Sequence, residues 1–164
     1  MKKIDGIIFD IDGTIVSSNE LIFASFKFVT EKYLNKKLTT SEIISLFGPT
    51  EDQIIDTWFG DSSESVKEDY YKFYSDNHTM AEAYSGIEEV IKFIKSKNIL
   101  LSIYTGKGRN SAFITLNKLN LMNYFDMIVT GDDVVEHKPS AEGILKFINQ
   151  YNLEPKNILM IGDA

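Results

Sequence analysis

Cysteine is absent from the 164 residues, and proline occurs only three times. The first absence excludes a disulfide framework, a thiol nucleophile, iron–sulfur clusters and thiolate zinc sites, and it fits a reducing compartment. The second, with only ten glycines, leaves no room for a collagen-like or long disordered tract. Positive charge is also scarce: 17 Lys and Arg against 24 Asp and Glu leave a net charge of −7. A general nucleic-acid binder is disfavoured, and any anionic ligand needs a local source of positive charge. No stretch approaches the roughly 18 uninterrupted apolar residues of a membrane span. Asp5, Asp10 and Asp12 interrupt the apolar run behind Met1-Lys2-Lys3 within the length of a signal-peptide core. A cytoplasmic protein with neither a nucleic-acid nor a membrane partner is expected. What is present, 43% hydrophobic and 25% charged residues, suits one ordinary domain or a small one with an insert.

Four segments are apolar on consecutive positions, the pattern of strands buried on both faces of a parallel sheet: 4–10, 99–105, 126–130 and 157–163. Helical patterns of crossover length lie around the last three. Ile87, Val90, Ile91 and Ile94 share one face, Ala112, Phe113, Leu116 and Leu119 another, and Ile144, Leu145 and Ile148 a third. Ser85-Gly86-Ile87-Glu88 reads as a capping box, and Pro139 as a first-turn proline of the helix behind it. The expected fold is α/β, with a parallel sheet in a Rossmann-like three-layer α/β/α core. The first strand breaks the βα rhythm, because about seventy residues separate it from Gly86, far beyond a usual βα connection. Residues 17–80 are therefore read as an inserted helical unit, with helices starting near Asn19, Thr39, Thr50 and Ser62. T-x-x-E at Thr39–Glu42 and T-x-x-Q at Thr50–Gln53 mark two of those starts.

In open parallel sheets ligands bind beyond the carboxyl ends of the strands. There the sequence reads Phe9-Asp10-Ile11-Asp12-Gly13-Thr14, Tyr104-Thr105-Gly106 and Ile161-Gly162-Asp163, with Lys138 ahead of the last helix. Asp10 and Asp12, two apart, point to one side of an extended segment. Two carboxylates about 4 Å apart repel by roughly 4 kcal/mol at an effective dielectric near 20, so the pair needs a cation or a proton. A hard divalent ion such as Mg²⁺, with Asp163 as a further ligand, meets that need and leaves the other carboxyl for acid and base work. Any one of these residues alone reads as an ordinary turn or surface residue; their joint placement carries the argument.

These residues resemble the haloacid dehalogenase-like superfamily of phosphotransferases, in the subclass with a helical cap inserted after the first strand, to which phosphoglycolate phosphatases and β-phosphoglucomutases belong. The likeness runs over nearly the whole chain, and Phe9-Asp10-Ile11-Asp12-Gly13-Thr14 is its most specific element. It implies a core of residues 1–16 and 81–164 and an all-helical cap of residues 17–80. It also implies an Mg²⁺-dependent phosphatase of a small phosphorylated metabolite. Asp10 would be the nucleophile that forms an aspartyl-phosphate, and Asp12 the general acid and then base. Thr105 and the Gly106 backbone would hold a phosphoryl oxygen, Lys138 would tie nucleophile to phosphate, and Asp163 would hold the metal with Asp10 and the Asp12 carbonyl. Gly13, Lys107 and Gly48 are candidate substrate contacts. The pattern continues past Gly-Asp with a further acidic residue, a helix and a strand, whereas this sequence stops at Ala164. A core truncated there, with part of the site missing, is an expectation of the comparison.

Within the same chemistry a phosphomutase of the β-phosphoglucomutase kind is the alternative, differing in whether a sugar hydroxyl or water accepts the phosphoryl group. A receiver-like phospho-acceptor and a catalytically silent binding fragment are the alternatives from other classes. Gly131-Asp132-Asp133 is read as a loop rather than a metal motif. Gly106-Lys107-Gly108 lacks the third glycine of a dinucleotide loop, but with the following helix N-terminus, Lys107 and Arg109 it suits a single phosphate. His78 and His137 are read as surface or loop residues, and Tyr70, Tyr71, Phe73, Tyr74, Trp58 and Phe59 as packing. The connections near 16–18 and 80–85 are read as hinges of the helical unit.

Overall fold

The computed structural model describes residues 3–163. Its centre is a four-stranded parallel sheet of β1 (Gly6–Phe9), β4 (Leu100–Tyr104), β5 (Met127–Val129) and β6 (Ile158–Ile161), in the order β5-β4-β1-β6. β1 pairs with β4 from Gly6↔Leu100 to Phe9↔Ile103, and with β6 from Gly6↔Ile158 to Phe9↔Ile161. The strand bearing the Asp10 motif is thus flanked on both sides.

Consecutive apolar residues are used because both faces of the sheet are covered. Ile7 and Phe9 join Ile91, Ile94, Ala112 and Leu116 in one core, under α5 (Ile87–Ser96) and α6 (Arg109–Lys118). Ile8 turns the other way, toward Tyr104, Val129 and Phe147, under α7 (Glu142–Tyr151). This is the three-layer α/β/α arrangement expected. The helix faces differ from the expected ones in part: Ile91, Ile94, Ala112, Leu116 and Ile148 are buried as expected, but Val90 and Leu145 are exposed, and Phe147 is buried on α7. Two start signals are also corrected. Gly86, at φ 83°, is the N-cap of α5 with no side-chain cap, so Ser85 forms no capping box. Pro139 lies in a turn ahead of α7, which begins only at Glu142.

Between β1 and α5 the chain forms α1 (Asn19–Leu34), α2 (Thr40–Ile44), α3 (Glu51–Phe59) and α4 (Ser63–Asp76). Thr39 and Glu42 complete a reciprocal capping box on α2. At α3 only half the box forms: Gln53 Oε1 accepts from Thr50 N at 3.0 Å, while Thr50 Oγ1 is buried without a partner. Phe26, Val29, Val66, Tyr70 and Tyr74 fill the space between α1 and α4. The chain enters and leaves this helical stretch through a short antiparallel ribbon absent from the sequence reading, β2 (Val16–Ser17) on β3 (Glu82–Ala83), with Val16↔Ala83 and Ser17↔Glu82 paired. His78, expected at the surface, is buried against Tyr74, its Nε2 3.3 Å from Thr115 Oγ1 on α6. No helix among the described residues is long and apolar enough to cross a membrane.

Candidate active site

A cleft of about 270 Å³ opens where the carboxyl ends of β1 and β4 face α1 and α3. Such a volume lies near the lower limit of small-molecule pockets. Asp10, Asp12, Thr105, Gly106, Lys107 and Lys138 line its strand side, and Gly48 lies on its helical side.

Asp10 is buried directly after β1. Its Oδ1 accepts from Ile11 N at 2.7 Å and its Oδ2 from Lys138 Nζ at 2.6 Å. The lysine comes from the loop before α7, 128 positions away, and lies over the Tyr104 ring, 5.2 Å from its centroid. Asp12 Oδ1 accepts from Ser18 Oγ, and its Oδ2 is 3.1 Å from Lys107 Nζ. Thr105 is buried, its Oγ1 accepting from Lys107 N at 3.2 Å.

Gly13 is required here twice over. Its φ of +74° lies in the left-handed region, and a Cβ would strike the carboxylate of Asp163. This glycine lets the end of β6 approach the turn after β1. Asp163 itself is exposed, and its contact is with Gly13. Among the described residues, no three carboxylate or imidazole groups close around one point as a ready metal cluster.

The N-terminus of α6 does not have the expected role. Its first amides are already taken: Gly108 N donates to Glu51 Oε2 at 2.7 Å, and Arg109 N to Asp132 Oδ2 at 2.7 Å. Ser111 Oγ donates to Glu51 Oε1 at 2.6 Å. Two carboxylates occupy the positive end of the helix dipole, where a phosphate is expected from the sequence. Arg109 pairs with Asp133, away from the cleft. Gly131-Asp132-Asp133 is a short turn in which Asp133 accepts from Thr130 N and Oγ1, as a loop reading requires.

Lys107 is buried between Asp12, Glu51 at 3.5 Å and the Tyr74 ring at 5.3 Å. Its Nζ makes no aligned hydrogen bond. Burial by itself pushes the ammonium pKa down, but the charges of Asp12 and Glu51 outweigh it and hold the pKa well above its ordinary value. Glu51 and Ser18 escaped the sequence reading. Glu51 stands at the first position of α3, where an acid is explained by its own helix; nothing local reveals that it caps a second helix 57 positions away. His137, read as a loop residue, lines the cleft beside Lys138.

The sequence model of the haloacid dehalogenase-like hydrolases matches residues 7–164. The chain is a haloacid dehalogenase-like hydrolase. It is of the superfamily's subclass I and belongs to an enzyme class of phosphohydrolases. Pyrophosphatase PpaX of Bacillus cereus (strain B4264) is 30% identical to this hydrolase over 165 residues, 98% of this chain and 75% of that protein. A protein of Caldanaerobacter subterraneus subsp. tengcongensis, also described as PpaX, is 32% identical over 99% of this chain and 74% of its own length. The crystal structure of CbbY from Rhodobacter sphaeroides in complex with phosphate superposes with a TM-score of 0.84 at 18% identity, over 98% of this chain and 78% of that one. A predicted phosphoglycolate phosphatase from Haemophilus somnus 129pt gives 0.84 at 20% identity, over 99% and 78%. At those identities the two structures show that the hydrolase shares their fold.

Proposed function

We propose that the protein is an Mg²⁺-dependent phosphatase of a small phosphorylated metabolite, working through an aspartyl-phosphate on Asp10. The observation that carries this reading is the Asp10 carboxylate at the end of the central strand, held by Ile11 N and Lys138 Nζ and facing a cleft it shares with Asp12. A carboxylate oxygen of Asp10 attacks phosphorus, the bond from phosphorus to the leaving oxygen breaks, and the Asp12 carboxyl gives that oxygen its proton. The Asp12 carboxylate then takes a proton from water, the water oxygen attacks phosphorus, and inorganic phosphate leaves with Asp10 restored. Lys138, Thr105 and the Gly106 backbone would meet the charge on the transferring oxygens.

The residues fit a hard divalent cation by donor chemistry. Asp10, Asp163 and the main chain of the intervening turn offer oxygen alone, the donor Mg²⁺ prefers. The Asp12 side chain is turned to Ser18 and Lys107, so in this reading it is the main-chain carbonyl of Asp12 that serves the metal, while its carboxyl serves the proton transfers. When bound, the ion supplies neutralisation of phosphoryl charge.

Residues 17–80 serve in this reading as a cap over a core formed by 1–16 and 81–164, hinged at the β2–β3 ribbon. Gly48 and Gly13 remain candidate substrate contacts. Phosphate release from small phosphate esters and pyrophosphate, with and without Mg²⁺, tests the reading on the wild type and on Asp10→Asn. Metal-dependent release abolished by the variant is expected. Release that survives Asp10→Asn would remove Asp10 as nucleophile.

A further inference from the structure

The relatives described as pyrophosphatases suggest a substrate with phosphoryl groups on both sides of the broken bond. The cleft has a different character on its two sides. Its positive charges, Lys107 and Lys138, both stand at the strand ends. Lys138 is committed to Asp10, and Lys107 is buried and already balanced by Asp12 and Glu51. The opposite side, where a leaving group must lie, is built by the helical unit from Ile22, Phe26, Phe47 and Ile54, with Asn19 as a neutral polar group. Phe47 stacks on Phe23 at 6.2 Å, which holds it at the rim. The charged side chain on this side, Glu51, is buried and turned to Gly108 N, Ser111 Oγ and Lys107, so it offers an incoming anion no positive charge.

A second phosphoryl group placed there would lose its hydration against hydrocarbon, with no cation among the described residues on that side to receive it. An uncharged alkyl or aryl group would instead cover the apolar surface. Resting on the phosphatase reading above, we propose that the substrate is a phosphate monoester whose leaving group is a small, uncharged and largely apolar alcohol, rather than pyrophosphate or an ester carrying a second anion. The helical wall selects it by burial, and the strand ends handle the phosphoryl group.

Two measurements separate this inference from the reading on which it rests. In calorimetric titrations of the wild-type chain with Mg²⁺ and methyl-, ethyl-, propyl- and butylphosphonate, Kd falls about threefold per added methylene, somewhat under the full-burial value of about fourfold. Butylphosphonate binds more tightly than methylenediphosphonate. A flat series, or tighter binding of methylenediphosphonate, overturns the proposal. In turnover assays with ethyl, propyl and butyl phosphate, whose alcohols are of similar acidity, kcat/KM rises along the series through KM. Phe47→Arg, a substitution at a half-exposed position, reverses the preference toward methylenediphosphonate; an unchanged preference counts against the wall as the selecting surface. A rising phosphonate series with no turnover of any ester would refute the phosphatase reading while the pocket assignment stands. Pyrophosphate turnover with a flat series would do the reverse.

Discussion

The two sides of the cleft are built on opposite principles. The strand side is a set of charges brought from distant parts of the chain and neutralised against one another, Asp10 with Lys138 and Asp12 with Lys107, which Glu51 of α3 also approaches from the other side. The helical side is hydrocarbon from α1, α3 and the loop between α2 and α3, and its shape is set by ordinary packing. Charges on rigid strand ends can be aimed without reorganisation, as transfer of a phosphoryl group requires. A wall of packed apolar side chains can be altered at the rim with little effect on the chemistry opposite. Under the proposed reading, reaction type and substrate choice would reside on separate elements of this fold.

The largest expected effect comes from breaking the strand side. Asp10→Asn keeps the shape but removes the proposed nucleophile, and kcat for phosphate release should fall by at least about 10³-fold. The rise in phosphonate affinity with chain length, read by calorimetry, should persist, because it belongs to the other wall. Next comes the joint between the two sides. Glu51→Ala removes the acceptor of Gly108 N and Ser111 Oγ and one of the two carboxylates facing buried Lys107. Breaking such a buried pair costs about 3 kcal/mol, measurable by urea denaturation. Hydrogen exchange should rise first in α3 and at the start of α6.

Gly13→Ala sharpens the comparison from the strand side. It forces a Cβ into the Asp163 carboxylate at a positive φ, with an expected stability loss of about 1–2 kcal/mol. Activity should drop by more than that loss explains, because the turn carrying Asp12 shifts with it. The smallest effect belongs to His78, beneath the helical unit. Burial lowers its pKa, with smaller contributions from Lys118 and Lys107. The unfolded chain therefore binds the proton more readily, and stability falls as pH drops below the ordinary histidine value of about 6.5. Urea midpoints from pH 7 to pH 5 should show that slope, and His78→Gln should flatten it.

Much of the strand side is legible in the sequence. Four runs of consecutive apolar residues announce a two-sided parallel sheet, and three of them end in a chemistry-bearing group, so Asp10 with Asp12, Thr105 and Asp163 are named by position, with Lys138 ahead of the helix behind the remaining run. The geometry brings Asp10, Asp12, Thr105 and Lys138 to one cleft. The starts of α1, α2, α3 and α4 are legible as well, because capping and turn residues act locally. Ser85 and Pro139 misled for the same reason: each is a valid local signal that neighbouring backbone geometry displaced by one to three residues.

What only the tertiary structure decided is pairing across distance. Glu51 reads as an acid in the first turn of its own helix, and the fold spends it on the start of α6. That contact removes the helix N-terminus from the set of phosphate sites and leaves Lys107 caged rather than free for an anion. His78 and His137 look alike as isolated histidines, yet one is buried beside α6 and the other lines the cleft. Periodicity and capping depend on neighbours a few positions apart, so sequence by itself determined the elements and the ends from which chemistry would project. Charge neutralisation and the character of a pocket wall depend on groups many tens of residues apart. They exist only once the sheet and the helical unit have closed on each other.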